Sequence, residues 1–279
     1  MKKHAFTIVT VTLIFLGLLG FIPVTPKFSD AYSASCVVSR SDGVIGSGVL
    51  LDSGYVVTNK HVVDEDKNGA ITFTEKTGIW VRFFEPASVH SATILDSSEV
   101  NWLFGLGGDY AVLKVDNPPK SKIRLMNREQ FRDVKPGRLL YCIGATDGES
   151  PPHITFGPRS SDDEMFFSRA GLSAYFGNSG GGIFTADTTE LIGLSTRVHI
   201  ATAMSEPQVL PDWVTFTPSH EIREFISKSH KEVLVSNATT WRHRISWAMI
   251  IGGAFGLTLS VFGYNSCKEM RGLFRSDAS

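Results

Sequence analysis

Short apolar runs separated by polar turns fill the middle of the chain. The run Val49–Leu51, the turn residues from Asp52 to Gly54 and the run Tyr55–Thr58 predict a tight β-hairpin. Further apolar runs that predict strands are Ala111–Val115, Leu139–Ile143, Ile183–Phe184 and Leu191–Leu194. The last two flank a polar turn and predict a second hairpin. Regular short strands of this kind predict an all-β sandwich or barrel.

One helix is predicted after this β-rich region. Ser219 is placed to cap the helix, and Glu221 suits the positive end of its dipole. Helical spacing is seen in the apolar residues Ile222, Phe225 and Ile226. Residues 228–244 are more polar, and we expect them to form a linker.

An uncharged segment lies at the start of the chain. It runs from Ala5 to Pro26 and follows the positive residues Lys2 and Lys3. Residues 1–30 are therefore predicted to be a signal anchor or a cleaved signal peptide, and the length of the apolar part favours the anchor. The positive residues place the N-terminus in the cytoplasm.

A second uncharged segment runs from Ile245 to Cys267. It shows no polar face at helical spacing and predicts a transmembrane helix over residues 245–264, followed by a short tail over 265–279. Two spans put the β-rich region outside the cytoplasm, in a periplasmic or extracellular location. The lipid bilayer is then an expected partner.

Composition narrows the function further. The formal net charge is -1 and there is no long basic run, so we expect no nucleic-acid partner. The three cysteines, Cys36, Cys142 and Cys267, are too few for a disulfide framework and lack the spacing of zinc ligands. A bridge between Cys36 and Cys142 is left open.

A glycine-rich loop supplies a candidate nucleophile. Gly177-Asn178-Ser179-Gly180 lies between two strand-like runs, and its glycines allow sharp turns that aim backbone amides inward. The N–H groups of Gly177 and Ser179 could then form an oxyanion hole. A strand follows this loop, whereas the nucleophile elbow of lipases and esterases requires a helix there.

Two other residues complete the chemistry that a nucleophilic serine needs. His61 follows the first predicted hairpin, and Asp109 comes directly before a predicted strand. A lone histidine is more often structural, and an aspartate at the start of a strand is ordinarily a turn former. Together with Ser179, however, they provide a base and an orienting carboxylate.

The local sequences around all three residues resemble the trypsin-like superfamily, especially its HtrA/Deg branch. They are GSGVLLDSGYVVTNKHVV around the histidine, DYAVLKV at the aspartate, and GNSGGGIF followed by LIGLSTRV at the serine. The resemblance covers roughly Ser35 to Ser227 and implies a protease domain over residues 34–227 with two six-stranded antiparallel β-barrels. It implies that His61 is the general base, Asp109 its orienting partner and Ser179 the nucleophile.

The same resemblance implies a substrate pocket. Ser173 lies near the base of the primary specificity pocket, and Ser195, Thr196 and Arg197 lie along its wall. Because position 173 carries no acid, we expect a small or medium apolar substrate residue rather than Lys or Arg. Arg197 could instead attract an acidic residue, and its alternative role is that of a solvated strand arginine.

The chain departs from the family in two respects. Asn178 stands where the digestive enzymes use an aspartate to bind a newly cleaved N-terminus, so we expect no such zymogen switch. No PDZ-like segment is recognised before the second predicted span. Homo-oligomers are common in the HtrA/Deg branch, and a homo-oligomer is left open here.

These observations predict a membrane-anchored serine endopeptidase that cleaves protein or peptide substrates outside the cytoplasm. Its chemistry needs neither a metal nor an organic cofactor. The alternative is a catalytically silent protease-fold protein that serves as a binding or scaffold module at the membrane. A lipase or esterase is excluded by chain order, because those enzymes run Ser, Asp, His.

Overall fold

The computed structural model describes residues 27–63, 78–97, 108–148, 151–160, 168–203 and 206–234, together with Ile251. Over residues 197–203 and 206–213 it describes the backbone alone. The chain divides into two units, Thr25–Ser236 and Met1–Val24 with Asn237–Ser279. The fold below is that of the first unit.

Six antiparallel strands form a closed barrel in the first part of this unit. They are β1 (Ser35–Arg40), β2 (Ile45–Leu50), β3 (Tyr55–Thr58), β4 (Ile79–Phe83), β5 (Ser88–Ser97) and β6 (Ala111–Val115). Their order is β1-β2-β3-β6-β5-β4, and β4 pairs with β1 to close the barrel. Closure removes the unpaired strand edges of an open sheet.

The predicted hairpin between β2 and β3 is confirmed. Gly54 adopts a φ of +90° in the turn, and the N–H of Leu51 donates to the carbonyl of Tyr55 across 2.8 Å. The register pairs Gly48 with Thr58. Beyond Thr58 the chain enters the short helix α2 (Lys60–Val63), which lies next to the end of the strand.

Six further antiparallel strands form the second sheet. They are β7 (Leu139–Gly144), β8 (His153–Pro158), β9 (Ser168–Ala170), β10 (Gly182–Thr185), β11 (Leu191–Ala203) and β12 (Glu206–Pro218). Their order is β8-β7-β10-β11-β12-β9. The predicted hairpin between Phe184 and Leu191 is confirmed as β10 and β11.

The two edge strands of the second sheet meet at the Arg159–Ala170 bridge, and the described residues show no longer ladder between them. The prediction of two six-stranded antiparallel barrels is therefore confirmed for the first sheet, whereas the second sheet has the six antiparallel strands but forms a half-barrel. Two hydrogen bonds flank the Arg159–Ala170 bridge, from the Ser160 N–H to the Arg169 carbonyl and from the Gly171 N–H to the Pro158 carbonyl, each across 2.9 Å.

Three more helices pack beside the sheets: α1 (Phe28–Ala34), α3 (Arg128–Asp133) and α4 (Ser219–Ser229). The predicted apolar stripe of α4 is confirmed, since Ile222 and Ile226 are fully buried. The predicted cap is wrong, because Ser219 is already helical and Pro218 occupies the N-cap position without a side-chain hydrogen bond. Proline suits this place because its ring fixes φ, here -62°.

A 3₁₀ turn, Lys231–Leu234, follows α4 and packs Val233 into the core of the first barrel. The last residues of α4 and this turn therefore occupy the start of the predicted linker. Helix α1 precedes the first strand and buries Ala31 and Ala34 against the same core. Neither contact was expected from the sequence pattern.

The buried apolar residues form two clusters, and the larger one joins the core of the first barrel to buried residues of the second sheet such as Ile143 and Phe184. The larger cluster also includes Val38, Val56 and Leu113, and the smaller includes Leu140, Ile183 and Phe216. Cys36 and Cys142 are buried as free thiols, which excludes the bridge that the sequence left open. Both behave as small apolar residues.

The predicted membrane segments, residues 5–26 and 245–267, lie outside the described residues apart from Ile251. Within the ranges that the structure describes, no helix has the length and apolar character needed to cross a membrane.

Candidate active site

His61 and Asp109 form a close pair on the first barrel. His61 lies in α2, just after β3, and Asp109 lies just before β6, the strand that pairs with β3. The imidazole Nδ1 lies 2.5 Å from Asp109 Oδ2, and the His61 N–H donates to Asp109 Oδ1 across 3.1 Å. Both carboxylate oxygens of Asp109 therefore bind His61 and fix the orientation of the imidazole ring.

Solvent exposure differs sharply across this pair. Asp109 is 2% exposed, whereas the His61 side chain is 34% exposed. A buried carboxylate with ordered donors strengthens its contact with the imidazole because little water competes for it. The exposed part of the His61 ring is left to face a reactant.

Asn59 supports this pair and was missed by the sequence reasoning. It is fully buried, and its Nδ2 donates to the backbone carbonyl of Asp109 across 2.7 Å and to Thr196 Oγ1 across 3.2 Å. Thr196 comes from β11, so this amide joins the aspartate to the second sheet. An amide residue two positions before the histidine, directly after the strand end, was the available signal.

The loop carrying Ser179 consists of two consecutive β-turns. The Asn178 N–H donates to Tyr175, and the Gly181 N–H donates to Asn178, across 3.1 and 2.8 Å. The third residues of the turns are Gly177 and Gly180, with φ of +91° and +84°. Positive φ at this position is the mark of type II turns and favours glycine.

Two backbone hydrogen bonds orient the two predicted oxyanion donors, the N–H groups of Gly177 and Ser179. The Phe176 carbonyl accepts from the N–H of Asp147 across 3.1 Å, and the Asn178 carbonyl accepts from Gly181. In a trans peptide the N–H points opposite to the carbonyl. The N–H groups of Gly177 and Ser179 are therefore both directed away from the contacts that hold their peptide planes.

Ser47 anchors this loop to the first barrel and was also missed. It is 1% exposed on β2, and its N–H donates to the Ser179 carbonyl across 2.7 Å. Its hydroxyl donates to the Gly177 carbonyl across 2.7 Å and accepts from the N–H of Ala145 across 2.8 Å. The glycines on either side of Ser47 were the only signal in the sequence.

Close packing brings the Ser179 loop beside the segment that carries His61. A β-carbon at Gly180 would lie 2.1 Å from the Ser47 carbonyl and 2.5 Å from Thr58 Oγ1. Thr58 precedes His61 by three residues. The structure thus brings the serine loop of the second sheet against the strand end of the first barrel that leads to the histidine.

The residues of the predicted specificity pocket differ in their surroundings. Ser173 is half-buried, and its carbonyl accepts from Thr155 Oγ1 across 2.9 Å. Ser195 is buried, and its backbone pairs with Gly180 and Gly181. Arg197 lies on β11, where the backbone alone is described.

The Thr196 hydroxyl is engaged in a buried network. It donates to the Leu194 carbonyl at 3.0 Å, lies 2.9 Å from Thr217 Oγ1 and accepts from Asn59. Thr196 is 4% exposed. Its side chain therefore links the two sheets behind the aspartate.

Asn178 occupies a buried place beneath the loop. It is 2% exposed, and its Oδ1 accepts from Thr146 Oγ1 across 3.2 Å. A β-carbon at Gly144 would lie 2.9 Å from the same oxygen. This neutral side chain is held by the loop that follows β7 and needs no cationic partner.

The donor set suits acid–base and nucleophilic chemistry. Across the described ranges, no three His, Cys, Asp or Glu residues come together as a metal site. The described contacts pair an imidazole with a buried carboxylate and place the serine loop against the strand end that precedes the histidine. This arrangement can take a proton from a hydroxyl and stabilise an oxyanion.

An antiparallel barrel that carries a histidine–aspartate pair, packed against a second antiparallel sheet that carries a glycine-rich serine loop, is the arrangement of chymotrypsin-type folds. The model of the trypsin-like peptidase domain family matches residues 46–194. The chain belongs to this family.

Curated relatives and a solved structure are similar to the chain. Serine protease HTRA1 of Xenopus tropicalis is 24% identical over 240 residues, and that of Xenopus laevis is 23% identical over 240 residues; each match covers 81% of this chain and 42% of the relative. The chain thus spans less than half the length of these relatives. The crystal structure of the serine endoprotease from Yersinia pestis shares 22% identity and a TM-score of 0.51, covering 76% of this chain and 68% of that one.

Proposed function

We propose that this protein is a membrane-anchored serine endopeptidase that hydrolyses peptide bonds in extracytoplasmic proteins. Ser179 is the nucleophile, His61 the general base and Asp109 the residue that orients His61. The N–H groups of Gly177 and Ser179 form the oxyanion hole. Membership of the trypsin-like peptidase domain family supports the reaction class.

The reaction follows from the roles of these groups. The Ser179 hydroxyl attacks the carbonyl carbon of the scissile bond, and its proton passes to His61 Nε2. The C–N bond breaks as His61 returns the proton to the leaving amine, which leaves an acyl group on Ser179. Water, deprotonated by His61, then attacks the acyl carbon. The bond from this carbon to Ser179 Oγ breaks, His61 returns the proton to Oγ, and the second product leaves. The two amides stabilise the oxyanion formed in each step.

The observation that carries the proposal is the 2.5 Å contact between His61 Nδ1 and Asp109 Oδ2. A carboxylate at Nδ1 keeps the proton there and leaves Nε2 free to accept one, and it stabilises the imidazolium once it forms. The burial of Asp109 and the exposure of His61 suit this division of roles.

Substrate choice is proposed from Ser173 at the base of the pocket, with Ser195, Thr196 and Arg197 along its wall. A serine hydroxyl offers no charge to a Lys or Arg side chain, so a small or medium apolar residue before the scissile bond is preferred. Because Thr196 is buried and its hydroxyl contacts Thr217, this hydroxyl supports the pocket wall and does not bind the substrate.

The membrane location is proposed from the uncharged segments at residues 5–26 and 245–267. Lys2 and Lys3 favour a cytoplasmic N-terminus and an external protease domain. Protein substrates and the bilayer are the proposed partners, and no cofactor is required by the chemistry.

Cleavage of a peptide library by the purified full-length chain tests the proposal. Wild type should cleave peptides with small apolar residues before the scissile bond, and Ser179→Ala should cleave none. Asp109→Asn should lower kcat by roughly 10⁴-fold, because the imidazole loses its orienting acceptor. Equal cleavage by wild type and Ser179→Ala would reject the proposed nucleophile.

Carbonate extraction of cell membranes tests the proposed membrane anchor. The chain should remain in the membrane pellet, and its release into the supernatant would reject the anchor.

A further inference from the structure

We propose that Arg82 is a positioning residue that holds the oxyanion hole in its working orientation through the loop Ala145–Gly148. The inference rests on the proposed function and adds a residue from β4 of the first barrel to its machinery. Arg82 is not expected to touch the substrate. It acts on the peptide that carries the Gly177 N–H.

The first link joins β4 to the loop that follows β7. The Arg82 guanidinium Nη2 donates to the carbonyl of Gly148 across 2.5 Å, and the contact is partly buried. A charged donor gives a stronger hydrogen bond than a neutral one, and partial burial reduces competition from water. This contact spans the two sheets, since Arg82 belongs to the barrel and Gly148 to the second half of the protein.

The second link lies within the loop. Asp147 and Gly148 both adopt left-handed backbone, with φ of 51° and 73°, and the Gly148 N–H donates to Ala145 across 3.2 Å. A left-handed conformation at a non-glycine residue is unfavourable and needs support from its surroundings. Arg82 holds the Gly148 carbonyl, and Gly148 also packs beside Ile45 of β2.

The third link reaches the oxyanion donor. The Asp147 N–H donates to the Phe176 carbonyl across 3.1 Å, and this peptide contains the Gly177 N–H. The Asp147 N–H therefore keeps the Phe176 carbonyl pointing toward the loop Ala145–Gly148. If that donor moves, the peptide can rotate, and a carbonyl oxygen replaces the N–H where the oxyanion forms.

Gly177 makes such a rotation accessible, since glycine adopts left- and right-handed backbone about equally well. The catalytic orientation therefore depends on contacts outside the turn. Ser47 holds the next carbonyl, that of Gly177, while the chain from Arg82 through Asp147 holds that of Phe176. Loss of the Arg82 contact should affect the transition state more than substrate binding, because the oxyanion exists only after attack.

The test compares Arg82→Gln, Arg82→Lys and wild type in the full-length chain. Arg138→Gln is the matched control, because Arg138 is an exposed arginine that pairs with Asp187 on the second sheet. The measurements are kcat, KM and the pH profile of kcat/KM with one peptide. Hydrogen exchange over residues 143–150 reports the loop without depending on activity.

We expect Arg82→Gln to lower kcat roughly 10- to 100-fold with KM within about twofold, since removal of one oxyanion donor costs about 10²–10³-fold. The pH midpoint should stay at the wild-type value, because His61 and Asp109 are untouched. Exchange of the 143–150 segment should speed up. Arg82→Lys should restore much of kcat, and Arg138→Gln should match wild type.

An unchanged kcat in Arg82→Gln would overturn the proposal, as would a shifted pH midpoint or a change confined to thermal stability. If wild type itself cleaves no peptide, the proposed function fails, and exchange alone decides the loop contact. Faster exchange in Arg82→Gln but not in Arg138→Gln would then support the structural link, and equal exchange would reject it.

Discussion

At the scale of single residues, Ser47 shows how one buried hydroxyl can set the position of a reactive loop. Its N–H and hydroxyl bind the carbonyls of Ser179 and Gly177, on either side of Asn178. The hydroxyl is satisfied twice, as donor and as acceptor, which gives it a single favourable orientation. The loop is therefore held by the first barrel rather than by its own sheet alone.

Replacing Ser47 with alanine should remove the hydroxyl contacts and keep the backbone contact to Ser179. We expect kcat/KM to fall about 10- to 100-fold, because displacements of about 1 Å at a reacting centre cost up to about 100-fold. Peptide cleavage by the full-length chain measures this. Ser91→Ala, which removes a hydroxyl from β5 of the same barrel, should leave kcat/KM unchanged. Equal losses in the two variants would contradict the assigned role.

The two described cysteines should be inert in the native protein. Burial raises the pKa of the Cys142 thiol to about 12, and burial raises the pKa of Cys36 still further. The thiolate needed for alkylation is therefore scarce at neutral pH. In a Cys267→Ser background, mass spectrometry should find neither thiol modified by iodoacetamide until a denaturant is added. Modification of the folded chain would contradict the burial.

The residues of the proposed triad could be found from sequence because each lies in a distinctive local block. Ser47, Asn59 and Arg82 could not be assigned roles in this way. Their partners lie far away along the chain, 130 residues in the case of Ser47 and Gly177 and 66 in that of Arg82 and Gly148. Such contacts depend on how two sheets pack, which no local pattern encodes.

At the scale of elements, two consecutive glycine turns shape the serine loop. Gly177 needs glycine for two reasons: its φ is +91°, and a β-carbon would lie 2.3 Å from the Ala145 carbonyl. Gly137 has a similar φ of +81° but has open space around a β-carbon. Substitutions at these two glycines therefore distinguish the effect of backbone strain, which both share, from the steric displacement of the Ala145–Gly148 loop, which only Gly177 causes.

Gly177→Ala should abolish most activity, whereas Gly137→Ala should leave it intact. Both variants should lose on the order of 1 kcal/mol of stability from left-handed backbone at a non-glycine residue. Only Gly177→Ala also displaces the Ala145–Gly148 loop, because its β-carbon would overlap the Ala145 carbonyl. Peptide cleavage and urea unfolding, measured on both, provide the comparison. Normal cleavage by Gly177→Ala would contradict the close packing described here.

Elements with strong local patterns could be predicted well. The strand Ala111–Val115 has the predicted bounds, and the helix after Pro218 lies in its predicted place. The half-barrel of the second sheet could not be foreseen, because the contact between its edge strands is the single Arg159–Ala170 bridge, which no local pattern encodes. Helix α1 was missed because it directly follows the uncharged N-terminal segment.

At the scale of the whole molecule, the protonation of His220 makes the stability of the folded protein depend on pH. It is 7% exposed at the start of α4, packs on the Phe131 ring and lies 3.1 Å from Glu221. Burial lowers the pKa of His220, and this outweighs the opposite influence of Glu221 and Glu224, while Arg128 also lowers it. The folded protein therefore favours the neutral imidazole.

Stability should fall as the pH drops below about 6.5, the ordinary pKa of histidine, because the unfolded chain then binds a proton more readily than the folded one. The urea midpoint should be lower at pH 5.5 than at pH 7.5. His220→Gln should reduce this dependence, and His90→Gln on β5 serves as the matched control. A dependence unchanged by His220→Gln would contradict the assignment.

The most direct test of the proposed activity is covalent labelling of the full-length chain with a fluorophosphonate probe, with the modified residue located by mass spectrometry. We expect labelling at Ser179, and none in Ser179→Ala or after denaturation, because an activated hydroxyl requires the assembled His61–Asp109 pair and the oxyanion hole. Absence of labelling in folded wild type would contradict the central claim and favour a catalytically silent binding protein.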